Sequence, residues 1–175
     1  MRIEIRQHFA GATLDDVERL YMLDETFNRE TFAALGYERR VLVADRHAER
    51  LLRTLHLCPT RALPAPFSSL LRGGTFHIEE QVAYDFAAHR GTWTTAPSLL
   101  ANQFQASGTF SFAGDHDGVT FHLEGSARST LPLLARSAEK QGVRTAEQQH
   151  AGLAAAVRAR IARGASRAAS LDLRS

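Results

Sequence analysis

The stretch Pro132–Arg163, PLLARSAEKQGVRTAEQQHAGLAAAVRARIAR, decides how the rest of the chain is read. Leu134, Ala138, Gly142, Ala146, Leu153, Val157 and Ile161 recur at steps of four or seven, so on a helix they form one stripe along one face. The stripe is bulky at its ends and small in its middle. If that face lies on a sheet, Leu134 at one end and Leu153, Val157 and Ile161 at the other pin it, each contributing ~1.5–3 kcal/mol when fully buried. Ala138, Gly142 and Ala146 then leave room under the helix, and the expectation is a pocket walled by the preceding strands.

Those strands announce themselves by alternation. Arg2–Phe9 places Ile3, Ile5 and Phe9 on one side and Arg2, Glu4, Arg6 and His8 on the other, the pattern of a half-buried strand. Thr13, three residues before Asp16, starts a short helix from Leu14 to about Tyr21. Asp24 caps a second one through Phe27, Phe32 and Leu35, which Gly36 ends. Strand two is expected from Tyr37 to about Ala44 with Val41 and Val43 on one face, its turn at Asp45–Ala48, and strand three through Leu51, Leu52, Leu55 and Leu57. Between Cys58 and Gly74, Pro59, Pro64, Pro66, Gly73 and Gly74 break any regular strand, although Phe67–Leu71 has room for a helical turn. Long connections of this kind are often functional.

Strand four is the clearest, with Phe76, Ile78, Glu80, Val82, Tyr84 and Phe86 facing one way. Trp93 and its threonines form strand five, closed by Pro97. Strand six turns Phe104, Ala106, Gly108, Phe110 and Phe112 inward, and after the Asp117-Gly118 turn strand seven does the same with Val119, Phe121, Leu123, Gly125 and Ala127. Alternation of this sort implies an antiparallel sheet with one face in water. The predicted class is α+β, a seven-stranded antiparallel sheet around a long C-terminal helix in the order β-α-α-β-β-β-β-β-β-α. A single domain over 1–163 is expected, with a disordered tail over 164–175.

With 175 residues, 44% of them hydrophobic and 23% charged, the chain suits one domain with a sizeable core. No apolar run is long enough to cross a bilayer and the N-terminus has no leader-like run, so the expected location is the cytoplasm. Cys58 alone makes no disulfide framework and no metal motif. A net charge of +2 excludes a polyanion binder, and no nucleic-acid partner is expected. From Arg128 onward, however, basic residues outnumber acidic ones, which allows the last helix a transient contact with anionic membrane; a solvated face explains the same charges. The oligomeric state stays open.

Asp24 through Ala34-Leu35-Gly36, Leu63-Pro64-Ala65-Pro66-Phe67 through Leu71, and Leu131-Pro132-Leu133-Leu134 through Glu139 stand at the ends of these elements. In these positions and in element order, over roughly residues 1–163, the chain resembles the START-like superfamily, also called SRPBCC, helix-grip or polyketide-cyclase-like. Within it the chain is most similar to an uncharacterised bacterial domain-of-unknown-function family. The resemblance implies a sheet wrapped round the C-terminal helix with a cavity between, and ligands such as lipids, sterols or polyketides. It carries over no catalytic residue.

Glu80 interrupts an apolar inward stripe, and a carboxylate there must find a partner or a proton. Arg53, among Leu51, Leu55 and Leu57, is a candidate partner, and Tyr84 a candidate anchor for a ligand oxygen. A structural ion pair explains the same residues. Trp93, Phe104, Phe110, Phe112 and Phe121 are candidate cavity walls opposite Ala138, Gly142 and Ala146, although aromatics at strand spacing also make plain core. His77 with Glu79 and His122 with Glu124 would form a metal site only on neighbouring strands, and no ligand motif supports one. Asp115, Asp117 and Gly118 read as a hairpin turn, not a calcium loop. No cofactor is expected. The leading expectation is a non-catalytic binder or carrier of a small hydrophobic, lipid-like molecule. The alternatives are a cyclase- or hydrolase-type enzyme using Glu80 or Tyr84 as acid or base, and an interaction module with a filled cavity.

Overall fold

In the computed structural model, which describes residues 1–61, 76–99 and 101–172, the alternating segments form seven strands in one sheet. β1 (Arg2–Ala10) leads into α1 (Leu14–Glu18), a π-helical turn (Arg19–Leu23) and α2 (Glu25–Ala34). β2 (Tyr37–His47), β3 (Arg50–Pro59), β4 (Ile78–Asp85), β5 (Arg90–Pro97), β6 (Phe104–Asp115) and β7 (Gly118–Ser129) follow, and then one long helix, α3 (Ala135–Asp172). Every neighbouring pair is antiparallel, in the order β1-β7-β6-β5-β4-β3-β2. The α+β architecture and element order are those the alternation predicts. The expected helical turn at Phe67–Leu71 lies outside the described residues.

Burial follows the two-residue period. Ile3, Ile5 and Phe9 of β1 and Val119, Phe121, Leu123 and Ala127 of β7 are buried, as are Ala106, Phe110 and Phe112 of β6. At the helical end of the sheet, Thr13 Oγ1 accepts from the Asp16 amide at 3.2 Å and Asp24 Oδ1 from the Phe27 amide at 2.9 Å, satisfying amides that a helix start leaves orphaned. The expected end of α1 near Tyr21 is replaced by a wider turn, closed by the Asp24 amide on the Arg19 carbonyl at 2.8 Å. That turn buries three consecutive residues, Leu20, Tyr21 and Met22, which a regular helix would spread around its circumference. Asn28 holds it in place, its side-chain amide donating to the Leu20 carbonyl at 2.8 Å and the Asp24 carbonyl at 2.9 Å.

Strand two departs from expectation. A bulge at Leu42 shifts the register between Val41 and Val43, so these two valines do not share a buried face, and Val43 is exposed on the edge strand. β2 also runs on to His47, and the turn falls at Ala48–Glu49 with Ala48 in the left-handed region, φ 48°.

α3 lies across β7, β1 and α2. Leu153, Ala154 and Val157 are buried and fix its middle, while Glu139 ties its first turns to β7 by accepting from the Ser129 amide at 3.0 Å. That bond, with the nearby terminal ammonium, holds the Glu139 carboxyl below its usual pKa. The helix begins at Ala135, not Pro132, and its backbone continues to Asp172, past the Arg163 at which the pattern suggests it ends. Arg158 is not part of a free basic face, because its guanidinium donates to the His8 carbonyl and to Gln7 Oε1 at 2.9–3.1 Å and covers the Phe9 ring.

Candidate ligand cavity

The sheet's register sets side chains in transverse rows. One row runs Arg53, Val82, Trp93, Gly108, Gly125, Ile3 across six strands. Gly125 is what admits the indole, since a Cβ there would stand 2.7 Å from Trp93 Cζ2, while a Cβ on Gly108 would collide with the backbone of the neighbouring strand. The row on one side carries Leu55, Glu80, Thr95 and Ala106; the row on the other carries Leu51, Tyr84, Gly91, Phe110 and Leu123.

Between the Glu80 and Arg53 rows and the inward face of α3 lies a cavity of about 240 Å³. At ~30 Å³ per liquid water that is about eight waters, more than the few that would end the pocket reading. Its apolar wall includes Ile3, Leu57, Ile78, Val82, Leu123, Leu131 and Leu153 with Phe104, Phe110, Phe121 and Trp93. Ala138, Gly142 and Ala146 form its helical side. The small stripe does two things at once. At Gly142 the helix touches the sheet, since a Cβ there would sit 2.5 Å from Phe104 Cζ, while the flanking positions leave the hollow.

Nine of the predicted site residues meet here: Glu80, Arg53, Trp93, Phe104, Phe110, Phe121, Ala138, Gly142 and Ala146. Tyr84 and Phe112 do not. Both sit at the end plugged by the π-turn, where Tyr21 packs edge-on to Phe112 at 5.3 Å and Tyr84 stacks on Phe110 at 5.4 Å over the gap left by Gly91. The Tyr84 hydroxyl donates to Glu18, which also bonds His89 Nδ1 at 2.8 Å, and burial together with that carboxylate pushes the phenol far above its usual pKa. Tyr84 is therefore engaged outside the cavity and anchors α1 to the sheet. The expected Arg53–Glu80 ion pair is not made. Arg53 Nη1 donates to the Met22 carbonyl at 3.1 Å, and burial, reinforced by neighbouring Arg39, lowers its pKa although Glu80 and Glu25 oppose this.

Several wall residues carry polar atoms without a hydrogen-bond partner among the described residues: Tyr21 Oη, Arg53 Nε, Trp93 Nε1, Gln149 Nε2 and His150 Nδ1. Arg39, also in the wall, is ion-paired with Glu25. Gln149 and His150 were not among the predicted residues, yet the stripe contained the signal. Its seven-residue step from Ala146 to Leu153 passes over the positions three and four beyond Ala146, which are these two. His150 lies 5.4 Å from the Phe121 ring and nearly parallel to it, and burial lowers its pKa to about 4.

The outer-face histidines do not converge as a metal site would require. β4 lies between β3 and β5, and β7 between β6 and β1, so His77 and Glu79 are strands away from His122 and Glu124. His77 instead stacks on His56 at 3.8 Å, and His122 lies 3.7 Å from Glu4. At the β6–β7 turn, Asp115 Oδ1 accepts from the Asp117 and Gly118 amides at 2.8 and 3.1 Å, the hairpin geometry expected there.

An antiparallel sheet closed against one long helix, with a mainly apolar hollow between them, defines a cavity-bearing α+β domain. The chain belongs to the family described as "Protein of unknown function (DUF2505)", whose model matches residues 4–161. No curated protein matches it. Among solved structures it is similar to TTHA0849 from Thermus thermophilus, with a TM-score of 0.61 and 17% identity over 91% of this chain and 98% of that one. It is also similar to CV1439 from Chromobacterium violaceum (TM-score 0.59, 15% identity, 90% and 97% covered) and to a protein from Rhodobacter sphaeroides (0.56, 15%, 92% and 91%). At such identities the likeness shows the fold. Among the described residues no helix is long and apolar enough to cross a membrane.

Proposed function

We propose that the chain binds a small apolar molecule between sheet and helix and holds or carries it without chemistry of its own. The observation that supports this is the cavity of about 240 Å³, whose wall is mostly aliphatic and aromatic with polar groups set among them, the usual composition of a small-molecule site. Resemblance to the START-like superfamily supports it too. The alternative acid–base reading, through Glu80 or Tyr84, is weaker for Tyr84, because its hydroxyl is committed to Glu18 away from the cavity, and rests on Glu80, which stands in the wall. Exposed Arg136, Lys140 and Arg144 on α3 suit the expected transient contact with an anionic membrane.

The test uses native mass spectrometry of the purified chain, followed by solvent extraction. The expected result is a retained apolar molecule, or uptake of an added one such as 1-decanol at one equivalent. Protein that arrives empty and takes up no apolar probe at concentrations up to the probe's solubility would overturn the reading.

A further inference from the structure

Two cavity-wall donors carry information about the ligand's polar end. Arg53 is only 8% exposed, its Nε–H has no partner and, among the described residues, it forms no ion pair: neighbouring Arg39 has Glu25, and Glu80 acts on Arg53 only from beyond ion-pair distance. Trp93, also 8% exposed, has its indole N–H buried with no acceptor. Arg53 and Trp93 flank Val82 in one register row, two strand spacings apart, so their Cα atoms stand roughly 10 Å from each other, and the indole reaches the other way, its Cζ2 beside Gly125. Neither group can accept a hydrogen bond. A purely apolar ligand would leave both unsatisfied, and a cation would meet the buried Arg53 guanidinium. An acceptor of negative charge satisfies Arg53, the charged donor of the two. With one guanidinium, its Nη1 on the Met22 carbonyl and its Nε–H unpartnered, and the Glu80 carboxylate in the same wall, a monoanion suits the site and a dianion does not.

Deepening the cavity reading and resting on it, we infer that the ligand is an amphipathic monocarboxylic acid whose carboxylate is held by Arg53. Its hydrocarbon part lies against Phe104, Phe110 and Phe121. The cavity of about 240 Å³ accommodates a body of on the order of ten non-hydrogen atoms, taking ~30 Å³ per water-sized group. Glu80 then acts as a selectivity element, discouraging more highly charged heads.

Trp93 is the single tryptophan of the chain, so its emission reports on the cavity directly. The full chain is titrated at pH 8 with decanoate, 1-decanol and decylamine. Decanoate is expected to bind at least tenfold tighter than 1-decanol, and decylamine more weakly than either. Arg53→Gln is expected to bring decanoate down to the level of 1-decanol, and Glu80→Gln to tighten decanoate severalfold. If 1-decanol binds as tightly as decanoate to the unmodified protein, the acid head is wrong and the cavity reading survives; this comparison holds even should Arg53→Gln fail to fold. Undiminished decanoate binding by a folded Arg53→Gln chain overturns it equally. If no probe perturbs Trp93 or is retained in native mass spectra, the cavity reading falls and takes this inference with it.

Discussion

At position 150 a histidine stands where the inward face of α3 would accept an apolar side chain, and its burial makes the fold sensitive to acid. Its pKa falls from 6.5 to about 4 on folding, so between those values the unfolded chain binds a proton that the native chain does not. The contribution of the neutral ring is fully present above about pH 6.5 and is lost as pH drops toward 4, at most about 3 kcal/mol. Urea unfolding of the native sequence and of His150→Leu should therefore differ by a constant above pH 7, with the native sequence losing ground to the variant at pH 4–6. Curves that run parallel over the whole range would contradict this. Tyr84→Phe tests a second buried polar group. Glu18, 7% exposed, would lose its phenolic donor and keep only His89, a loss of about 1–3 kcal/mol that should appear as a lower Tm. Probe binding should be unaffected, because Tyr84 lies outside the cavity wall. A variant with unchanged Tm and weakened binding would put Tyr84 back in the site.

The small middle of the α3 stripe makes its own prediction. Ala146→Phe places a ring in the cavity from a position already facing it, so it should weaken decanoate or 1-decanol at least tenfold in Trp93 emission while leaving Tm level or higher. Weakened binding with a collapsed Tm would mean that Ala146 is close-packed and not next to space. Much of this geometry was legible because the stripe and the strands each obey a period: inward phenylalanines on β6 and β7, small residues on the helix, and the caps at Thr13 and Asp24 all fall where the periods place them. What the period hid was equally physical. A stripe picked out by apolar residues skips polar ones on the same face, which is how Gln149 and His150 escaped. The Leu42 bulge and the π-turn each break a period, so regular spacing misplaces the residues that follow them.

For the whole molecule, the contacts that set the cavity's limits join residues far apart in the chain. The Glu18–Tyr84 bond spans 66 positions and closes the plugged end; without it, inward alternation alone makes Tyr84 look like part of the open end. The same long-range closure means that the sheet, the π-turn and α3 share one core, in which Ile3, Tyr21, Phe121 and Leu153 border the hollow and belong to the buried cluster as well. A ligand filling that hollow binds the folded state and has no equivalent site in the unfolded one, so it must raise the stability of the whole domain. At a free concentration of a hundred times its Kd the increment is ~2.7 kcal/mol, which for a domain of this size corresponds to roughly 5–10 °C in Tm. Thermal unfolding with saturating decanoate should show that rise in the native sequence and almost none in Ala146→Phe. An equal rise in both would mean that the acid is stabilising the protein from its surface, and no rise in either would mean that the space under α3 is not a binding site at all.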